Sequence, residues 1–354
     1  MQICLFPESK KVPIDKFISN ALYDKNFGYY SKKIPFGKNG DFITSPGITS
    51  LFSESIALWV ISLWMSIGKP KTFNVVELGP GNGQMCKTLL FTFKKFPIFF
   101  KAVNIFLYEK SKTLENLQKN NLNDKKVKWV KNFNKIKKGP IIFLGNEFFD
   151  AIPIKQFFKK KEDWFERFVE LKKQKKAEFK EQKINIKKIE KNLNFEISKN
   201  QDIIEYSPNT FSYLKSICKK IQINDGGILI IDYGYLNSKM YETLQAVNNH
   251  KYSDVLENIG DSDITYNINF DLFKKFTDKF SNLNSVITNQ KKFLTSMGIL
   301  QRAEIISQNI PFSKKTDLFY RIRRLIDEKQ MGELFKVMLI KNKKNKFKTG
   351  FQID

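Results

Sequence analysis

Hydrophobic positions along the chain recur with two periods, one typical of helices and one typical of buried strands. Helical spacing of apolar residues predicts a helix over 12–23 and a longer helix over 49–66. From residue 72 onward, short apolar runs alternate with helical patterns. Strands that alternate with helices predict right-handed βαβ units, and therefore an α/β fold with a doubly wound, mostly parallel sheet.

The pattern after residue 71 predicts strands and helices that alternate with two interruptions. Strands are predicted at 72–77, 103–108, 127–130, 140–145, 227–232, 284–288 and 334–340. Helices are predicted at 83–96, 111–121, 209–222 and 269–281, within 289–308, and at 314–328. We interpret the interruptions, at about 154–206 and 235–269, as insertions, and residues 172–191 as a charged surface hairpin. The predicted organisation is a helical cap with a loop over 1–71, a sheet domain over 72–341 and a basic tail over 342–354.

A glycine turn follows the first strand of the sheet domain. The strand ends in Glu77, and the turn contains Gly79, Pro80, Gly81 and Gly83 before a helical pattern begins. A strand, a glycine turn and a helix bring backbone N–H groups close to a nucleotide-like ligand. The third glycine comes one residue too early for the dinucleotide fingerprint, and no Gly-Lys-Ser/Thr of a P-loop follows. This spacing favours S-adenosylmethionine, with its amino group near the acid.

Polar residues also follow the other predicted strands. Glu109 ends the second strand, where an acid would accept hydrogen bonds from ribose hydroxyls of either S-adenosylmethionine or NAD. Asn146, Glu147 and Asp150 follow the fourth strand, where the methyl acceptor would meet the cofactor. They are equally consistent with a helix N-terminus that carries acids for dipole reasons, and the two interpretations are compatible. Asp232, at the end of the fifth strand, is a further candidate.

The loop over 36–46 contains glycines and polar residues that could serve a ligand. Gly40, Asp41 and Thr44 lie in it. Local composition is equally consistent with a plain surface loop and with a lid over a binding site.

Composition excludes several classes of function. The formal net charge is +25, but the basic residues are mostly Lys and are spread along the chain, so we interpret them as solvated surface and not as a nucleic-acid site. The single histidine, His250, excludes a multi-histidine metal site, and three distant cysteines indicate neither a disulfide framework nor zinc, so no metal is predicted. A reducing, cytoplasmic setting in a bacterium is the simplest expectation. We expect neither a signal peptide nor a membrane span.

Six motifs together resemble the MidA family of class I methyltransferases. They are Phe36-Gly-Lys-Asn-Gly-Asp-Phe-Ile-Thr-Ser-Pro46, Glu77-Leu-Gly-Pro-Gly-Asn-Gly83, Asn146-Glu-Phe-Phe-Asp-Ala-Ile-Pro153, Ile231-Asp-Tyr-Gly234, Thr243-Leu-Gln-Ala-Val247 and Gly332-Glu-Leu-Phe-Lys336. The resemblance covers nearly the whole chain and keeps the motifs in order. The chain departs from the family pattern at Pro46-Gly-Ile48 and Phe52-Ser-Glu54, on the acceptor side.

The resemblance implies a seven-stranded, Rossmann-like methyltransferase with an N-terminal helical extension and insertions on the substrate side. It implies transfer of methyl groups from S-adenosylmethionine to arginine on a protein such as a subunit of NADH dehydrogenase, and hence a part in respiratory complex I assembly. It also suggests that the loop from Gly40 to Thr44 helps to close the cofactor site. On this hypothesis Glu147 holds the guanidinium, Asp150 supports the loop and Asp41 closes the site. Asn146 lies beside Glu147, where the acceptor meets the cofactor.

Two other classes of function stay open at this point. One is a methyltransferase of RNA or of a small molecule, for which the basic charge would matter. The other is a non-catalytic assembly factor that keeps the fold. The intact glycine turn and Glu147 argue against the non-catalytic alternative.

Overall fold

The structure is a computed structural model, and it describes residues 11–32, 44–136, 138–172, 177–248 and 251–352. The predictions for Gly40, Asp41 and His250 lie outside these residues. Two compact units make up the chain. The sheet unit comprises Phe36–Phe148, Lys215–Gly234 and Thr277–Asp354, and the insertion unit comprises Met1–Pro35, Phe149–Leu214 and Tyr235–Phe276.

The strands follow the chain in this order. They are β1 Lys11–Pro13, β2 Phe73–Leu78, β3 Val103–Tyr108, β4 Val127–Val130, β5 Ile141–Asn146, β6 Lys155–Lys160, β7 Asp163–Leu171, β8 Ala177–Ile184, β9 Ile203–Tyr206, β10 Gly226–Tyr235, β11 Gln245–Asn248, β12 Lys251–Ser253, β13 Asp263–Thr265, β14 Ile268–Asn269, β15 Leu283–Asn289 and β16 Phe335–Asn342.

The helices connect these strands. They are α1 Ile14–Tyr23, α2 Tyr29–Lys32, α3 Ser45–Ile48, α4 Ser50–Ser66, α5 Gln84–Lys94, α6 Pro97–Ala102, α7 Lys112–Asn121, α8 Ile186–Leu193, α9 Pro208–Asn224, α10 Phe270–Thr277, α11 Gln290–Ser296, α12 Ile299–Ser307 and α13 Phe312–Ile326, with a 3-10 turn at Phe133–Lys135 and a π turn at Glu328–Gly332. Within the described ranges, no helix is long and apolar enough to cross a membrane.

The sheet unit is built on a doubly wound sheet. Seven of its strands lie in the order β15-β16-β10-β5-β2-β3-β4. The five strands from β10 to β4 are parallel, and β16 runs antiparallel between β10 and β15. The prediction of a mostly parallel, seven-stranded α/β sheet is therefore confirmed.

Burial on both faces explains why the central strands read as unbroken apolar runs. Every residue of β2 is buried, because helices cover both faces of a parallel sheet. Helix α4 begins after Thr49, whose side chain accepts a hydrogen bond from the N–H of Leu51, and Trp59 within it is fully buried. The core continues through aromatic contacts such as Phe93 with Phe99, whose ring centroids are 4.8 Å apart.

Strand register aligns the carboxyl ends of the central strands at one edge of the sheet. Leu78 of β2 pairs with Tyr108 of β3 on one side and with Gly145 of β5 on the other. Ile231 of β10 pairs in turn with Asn146. The chain order reverses between β2 and β5, and ligands of doubly wound sheets bind at such a switch point.

The insertion unit contains strands where the sequence predicted them and further elements where it did not. Strands β1, β7, β6 and β9 form an antiparallel sheet, and β8 pairs with β7. Cross-strand ion pairs, such as Lys183 with Asp163 at 2.6 Å, hold the charged hairpin. The hairpin interpretation of 172–191 missed α8, for which the Asn185 side chain is the N-cap. The loop-like prediction for 235–269 missed the sheet β12-β11-β13, whose strands of three or four residues are too short to show a period.

Candidate active site

The glycine turn after β2 uses backbone conformations that favour glycine. The φ angles are 60° at Gly79, 55° at Gly81 and 82° at Gly83, all in the left-handed region. A Cβ on Gly79 would lie 2.8 Å from the ring of Phe148. The N–H of Gly83 donates to the carbonyl of Pro80 at 2.8 Å, and α5 begins directly afterwards. The turn therefore presents bare backbone at the switch point of the sheet.

Glu77 is a buried acid with an unused oxygen. Its side chain is only 3% exposed, and burial raises its pKa from an ordinary value of 4.5 to about 8. Among the described residues its Oε2 atom has no hydrogen-bond partner. A buried carboxylate oxygen without a partner is costly, and a cationic ligand group beside it would remove that cost.

Glu109 lies just beyond the end of β3 and is held by hydrogen bonds on both oxygens. The N–H of Ser111 donates to Oε1 at 2.8 Å, and the amide of Gln118 donates to Oε2 at 3.1 Å. Burial is the largest influence on Glu109 and raises its pKa, although these hydrogen bonds oppose the increase. The carboxyl is thus fixed in place, where its remaining lone pairs can accept hydrogen bonds from a diol.

Asn146 and Glu147, at the end of β5, form a second polar group at the same edge. The Asn146 amide donates to Oε1 of Glu147 at 3.1 Å, and the backbone N–H of Ser45 donates to the same oxygen at 3.2 Å. Glu147 has a φ of 48°, which is unusual and strained for a residue with a side chain. Its N–H donates to the carbonyl of Ile231 on β10 at 2.9 Å, and this bond helps to hold that conformation.

The remaining sequence candidates lie in different surroundings. Asp150 is buried and belongs to the insertion unit. Asp232 is fully buried in the sheet unit and accepts a hydrogen bond from the N–H of Tyr233 at 2.9 Å. Thr44 directly precedes α3, without a side-chain hydrogen bond to that helix. The carboxyl ends of β2, β3 and β5 form one edge of the sheet, the carboxyl edge. The candidates that this edge brings together are Glu77, the glycine turn, Glu109, Asn146 and Glu147.

Two contacts of the site were not predicted from the sequence. Ser45 is one of the loop's polar residues that the sequence offers to a ligand, but its contact with Glu147, across 102 positions of the chain, was not foreseen. Gln118 lies one turn after Leu114 on the buried face of α7 and is completely buried. The sequence did contain a signal for Gln118, because this residue occupies a core-facing position of a predicted helix. A buried side-chain amide needs hydrogen-bond partners.

A comparison with protein families identifies the chain. Residues 55–288 match the family model described as "Putative S-adenosyl-L-methionine-dependent methyltransferase", which is well over half of the chain. The chain belongs to this family. It is an S-adenosylmethionine-dependent methyltransferase, and S-adenosylmethionine is its cofactor.

Curated relatives agree with this assignment, and a solved structure shares the fold. The methyltransferase is 27% identical over 366 residues to the protein arginine methyltransferase NDUFAF7 of Xenopus tropicalis, covering 92% of this chain and 81% of the relative. The Homo sapiens protein of that name is also 27% identical, with 92% and 78% covered. A crystal structure from Burkholderia thailandensis, bound to S-adenosyl-homocysteine, has a TM-score of 0.78 at 22% identity and covers 94% of this chain and 88% of that one. At that identity the likeness shows the fold.

The carboxyl edge fits the cofactor of this methyltransferase on three observations. Bare glycine backbone leaves room for a close approach, and Glu77 has an unsatisfied oxygen for an ammonium group. Glu109 retains acceptor capacity for ribose hydroxyls. We therefore assign the amino-acid end of the cofactor to the glycine turn with Glu77, and the ribose end to Glu109, as proposals.

The raised pKa of Glu77 predicts that cofactor binding depends on pH. The carboxyl must ionise to pair with the cofactor's ammonium group, so affinity should rise up to about tenfold per pH unit below pH 8, with release of a proton. Calorimetry in buffers of different ionisation enthalpy measures that proton. Glu77→Gln should bind weakly at every pH and release none.

Stability provides an independent check on Glu77. Since its folded pKa of about 8 exceeds its ordinary value of 4.5, the folded protein binds a proton that the unfolded chain has lost between these pH values. The free energy of unfolding of the wild type should therefore fall, relative to Glu77→Gln, as pH rises from about 4.5 to about 8, and should change no further above that pH. Urea unfolding of both proteins at pH 6 and pH 9 measures this change. If the difference in free energy of unfolding between the wild type and Glu77→Gln is the same at both pH values, Glu77 is not a buried, neutral acid.

Proposed function

We propose that this methyltransferase methylates the side chain of arginine in an acceptor protein. The proposal depends above all on the carboxylate of Glu147, which lies at the end of β5 beside the switch point. Two hydrogen bonds to Oε1, from Asn146 and from the backbone of Ser45, fix its orientation. A fixed carboxylate at this position suits a cationic, planar acceptor group.

Further acceptor oxygens lie on the residues that hold Glu147. Oδ1 of Asn146 and Oγ of Ser45 are buried, and neither has a hydrogen-bond partner in the part of the chain that is described. A guanidinium has five N–H donors and no acceptor. An arginine side chain could therefore pair with Glu147 and also donate hydrogen bonds to these two oxygens. A neutral amine or a hydroxyl has fewer N–H or O–H donors and would leave some of these oxygens unsatisfied.

Methylation of arginine requires the enzyme to control charge. S-adenosylmethionine, when bound, supplies a methyl group activated by a positively charged sulfur. The guanidinium is itself cationic, with a pKa above about 12, so its attacking nitrogen has little free electron density. By pairing with the far nitrogens, Glu147 draws positive charge away from the nitrogen that reacts. Rigid placement of the acceptor then supplies much of the rate enhancement.

Relatives and the family resemblance support a protein acceptor. The curated relatives from frogs, fish and mammals are named protein arginine methyltransferases. Following the resemblance, we propose a subunit of NADH dehydrogenase as the acceptor protein.

The chemical identity of the labelled product tests this function. The purified protein is incubated with methyl-labelled S-adenosylmethionine and a cell extract, with Glu147→Gln protein as the matched control. We expect label that protease removes and ribonuclease does not, and methylarginine after hydrolysis of the labelled band. Label in RNA or in a small molecule would establish another acceptor class, and no enzyme-dependent label would indicate a non-catalytic role.

A further inference from the structure

Gln118 on α7 contacts both ends of the proposed cofactor site. Its side-chain nitrogen donates to the carbonyl of Gly81 at 2.8 Å and to Oε2 of Glu109 at 3.1 Å. Its oxygen accepts from the indole N–H of Trp129 at 2.9 Å. The side chain is completely buried, so both N–H donors are used without help from solvent.

Trp129 determines which way the amide of Gln118 faces. An indole nitrogen can only donate, so the amide oxygen must lie toward it. The amide nitrogen then faces the two acceptors, the Gly81 carbonyl and the Glu109 carboxylate, neither of which can donate when the acid is ionised. One orientation satisfies all three bonds, and the reversed amide satisfies none.

Helix α7 also determines how the glycine turn presents its backbone. Gln118 binds the carbonyl of Gly81, and Asn121, one turn later, binds the carbonyl of Asn82 at 3.0 Å. In a planar trans peptide the N–H points opposite to the C=O. The N–H of Asn82 is therefore turned away from α7.

We propose that Gln118 is a positioning residue that joins the two ends of the cofactor site. Through Gly81 it fixes the turn that receives the amino-acid end, and through Glu109 it fixes the acid that receives the ribose. The distance between the two ends is thereby set before the cofactor arrives, which lowers the cost of ordering them on binding.

The hydrogen bond from Gln118 to Glu109 affects the pKa of Glu109. This effect distinguishes a positioning role of Gln118 from a role in packing alone. Burial raises the pKa of Glu109, whereas the backbone at Ser111 and Lys110, the Gln118 amide and the charge of Lys131 lower it. Loss of the Gln118 bond should therefore raise this pKa further. A protonated carboxyl accepts hydrogen bonds from ribose hydroxyls less well than an ionised one, so the variant should need a higher pH to bind the ribose.

The test uses 5′-methylthioadenosine, which contains the ribose but lacks the amino-acid end and so does not report on Glu77. Its affinity is measured by calorimetry from pH 5 to pH 9 for the wild type and Gln118→Met. We expect the affinity of Gln118→Met to fall by up to about tenfold at the acidic end of this range, and the midpoint of its pH profile to move to higher pH. A uniform loss at every pH, or no loss, would overturn the proposal.

Two further variants make the result specific. Asn121→Ala, on the same helix, removes the hydrogen bond to Asn82 and leaves the hydrogen bonds of Glu109 in place. The midpoint of its pH profile should therefore equal that of the wild type. Gln118→Glu keeps the shape and serves if the Met variant does not fold. Once both carboxyls ionise, it places two carboxylates together, so its affinity should fall with rising pH, and a profile like that of the wild type would contradict the proposal.

Discussion

Glu147→Gln is expected to abolish methyl transfer and to leave cofactor binding intact. Glutamine has nearly the same shape and can still accept the hydrogen bond from the N–H of Ser45. It lacks the negative charge that would pair with the guanidinium, so kcat should fall by at least about 100-fold. Calorimetry with S-adenosyl-homocysteine and single-turnover transfer to the acceptor protein separate the two effects.

A surface glutamate of the same unit provides the control. Glu328 pairs with Lys291 at 2.6 Å, and 63% of its side chain is exposed. Glu328→Gln removes the same charge from the protein and should change neither binding nor transfer. If Glu147→Gln methylates the acceptor at the rate of the control, Glu147 is not the carboxylate that holds the acceptor.

Gly81→Val is expected to eliminate binding of the cofactor. The φ of 55° at this position strongly disfavours a β-branched side chain, so the turn must distort. The distortion would also displace the carbonyl that Gln118 holds. Calorimetry with S-adenosylmethionine should detect no binding at concentrations that saturate the wild type.

Gly68→Val separates loss of binding from general backbone strain. Gly68 has a φ of 85°, and a Cβ there would meet no atom within 4 Å. It follows α4 and takes no part in the glycine turn. This variant should lose about 1–3 kcal/mol of stability and keep its affinity for the cofactor. Equal loss of affinity in both variants would show that the Gly81 result reflects instability.

Much of the carboxyl edge could be predicted because it depends on local chain order. The apolar run of β2 predicts a buried parallel strand, and the residues after such strands must meet at one edge. Glu77, Glu109, Asn146 and Glu147 follow from that rule alone, since each lies at the end of a strand or directly after it.

The contacts that complete the site depend on tertiary packing. Gln118 meets Gly81 across 37 positions, and Ser45 meets Glu147 across 102. Periodicity places these residues on an element but does not say which distant backbone group the side chain or N–H will reach. The division of the chain into two units could not be predicted for the same reason. Helix α1 belongs to the same unit as segments that lie more than a hundred residues away along the chain.

The left-handed backbone of Glu147 has a consequence for protein engineering. A side-chain residue in this conformation costs on the order of 1–3 kcal/mol, and glycine or asparagine would relieve part of that cost. A library selected only for heat resistance should therefore enrich replacements at position 147, and the most robust survivors should lose methyl transfer. Directed evolution of this enzyme needs a selection that measures turnover together with melting temperature.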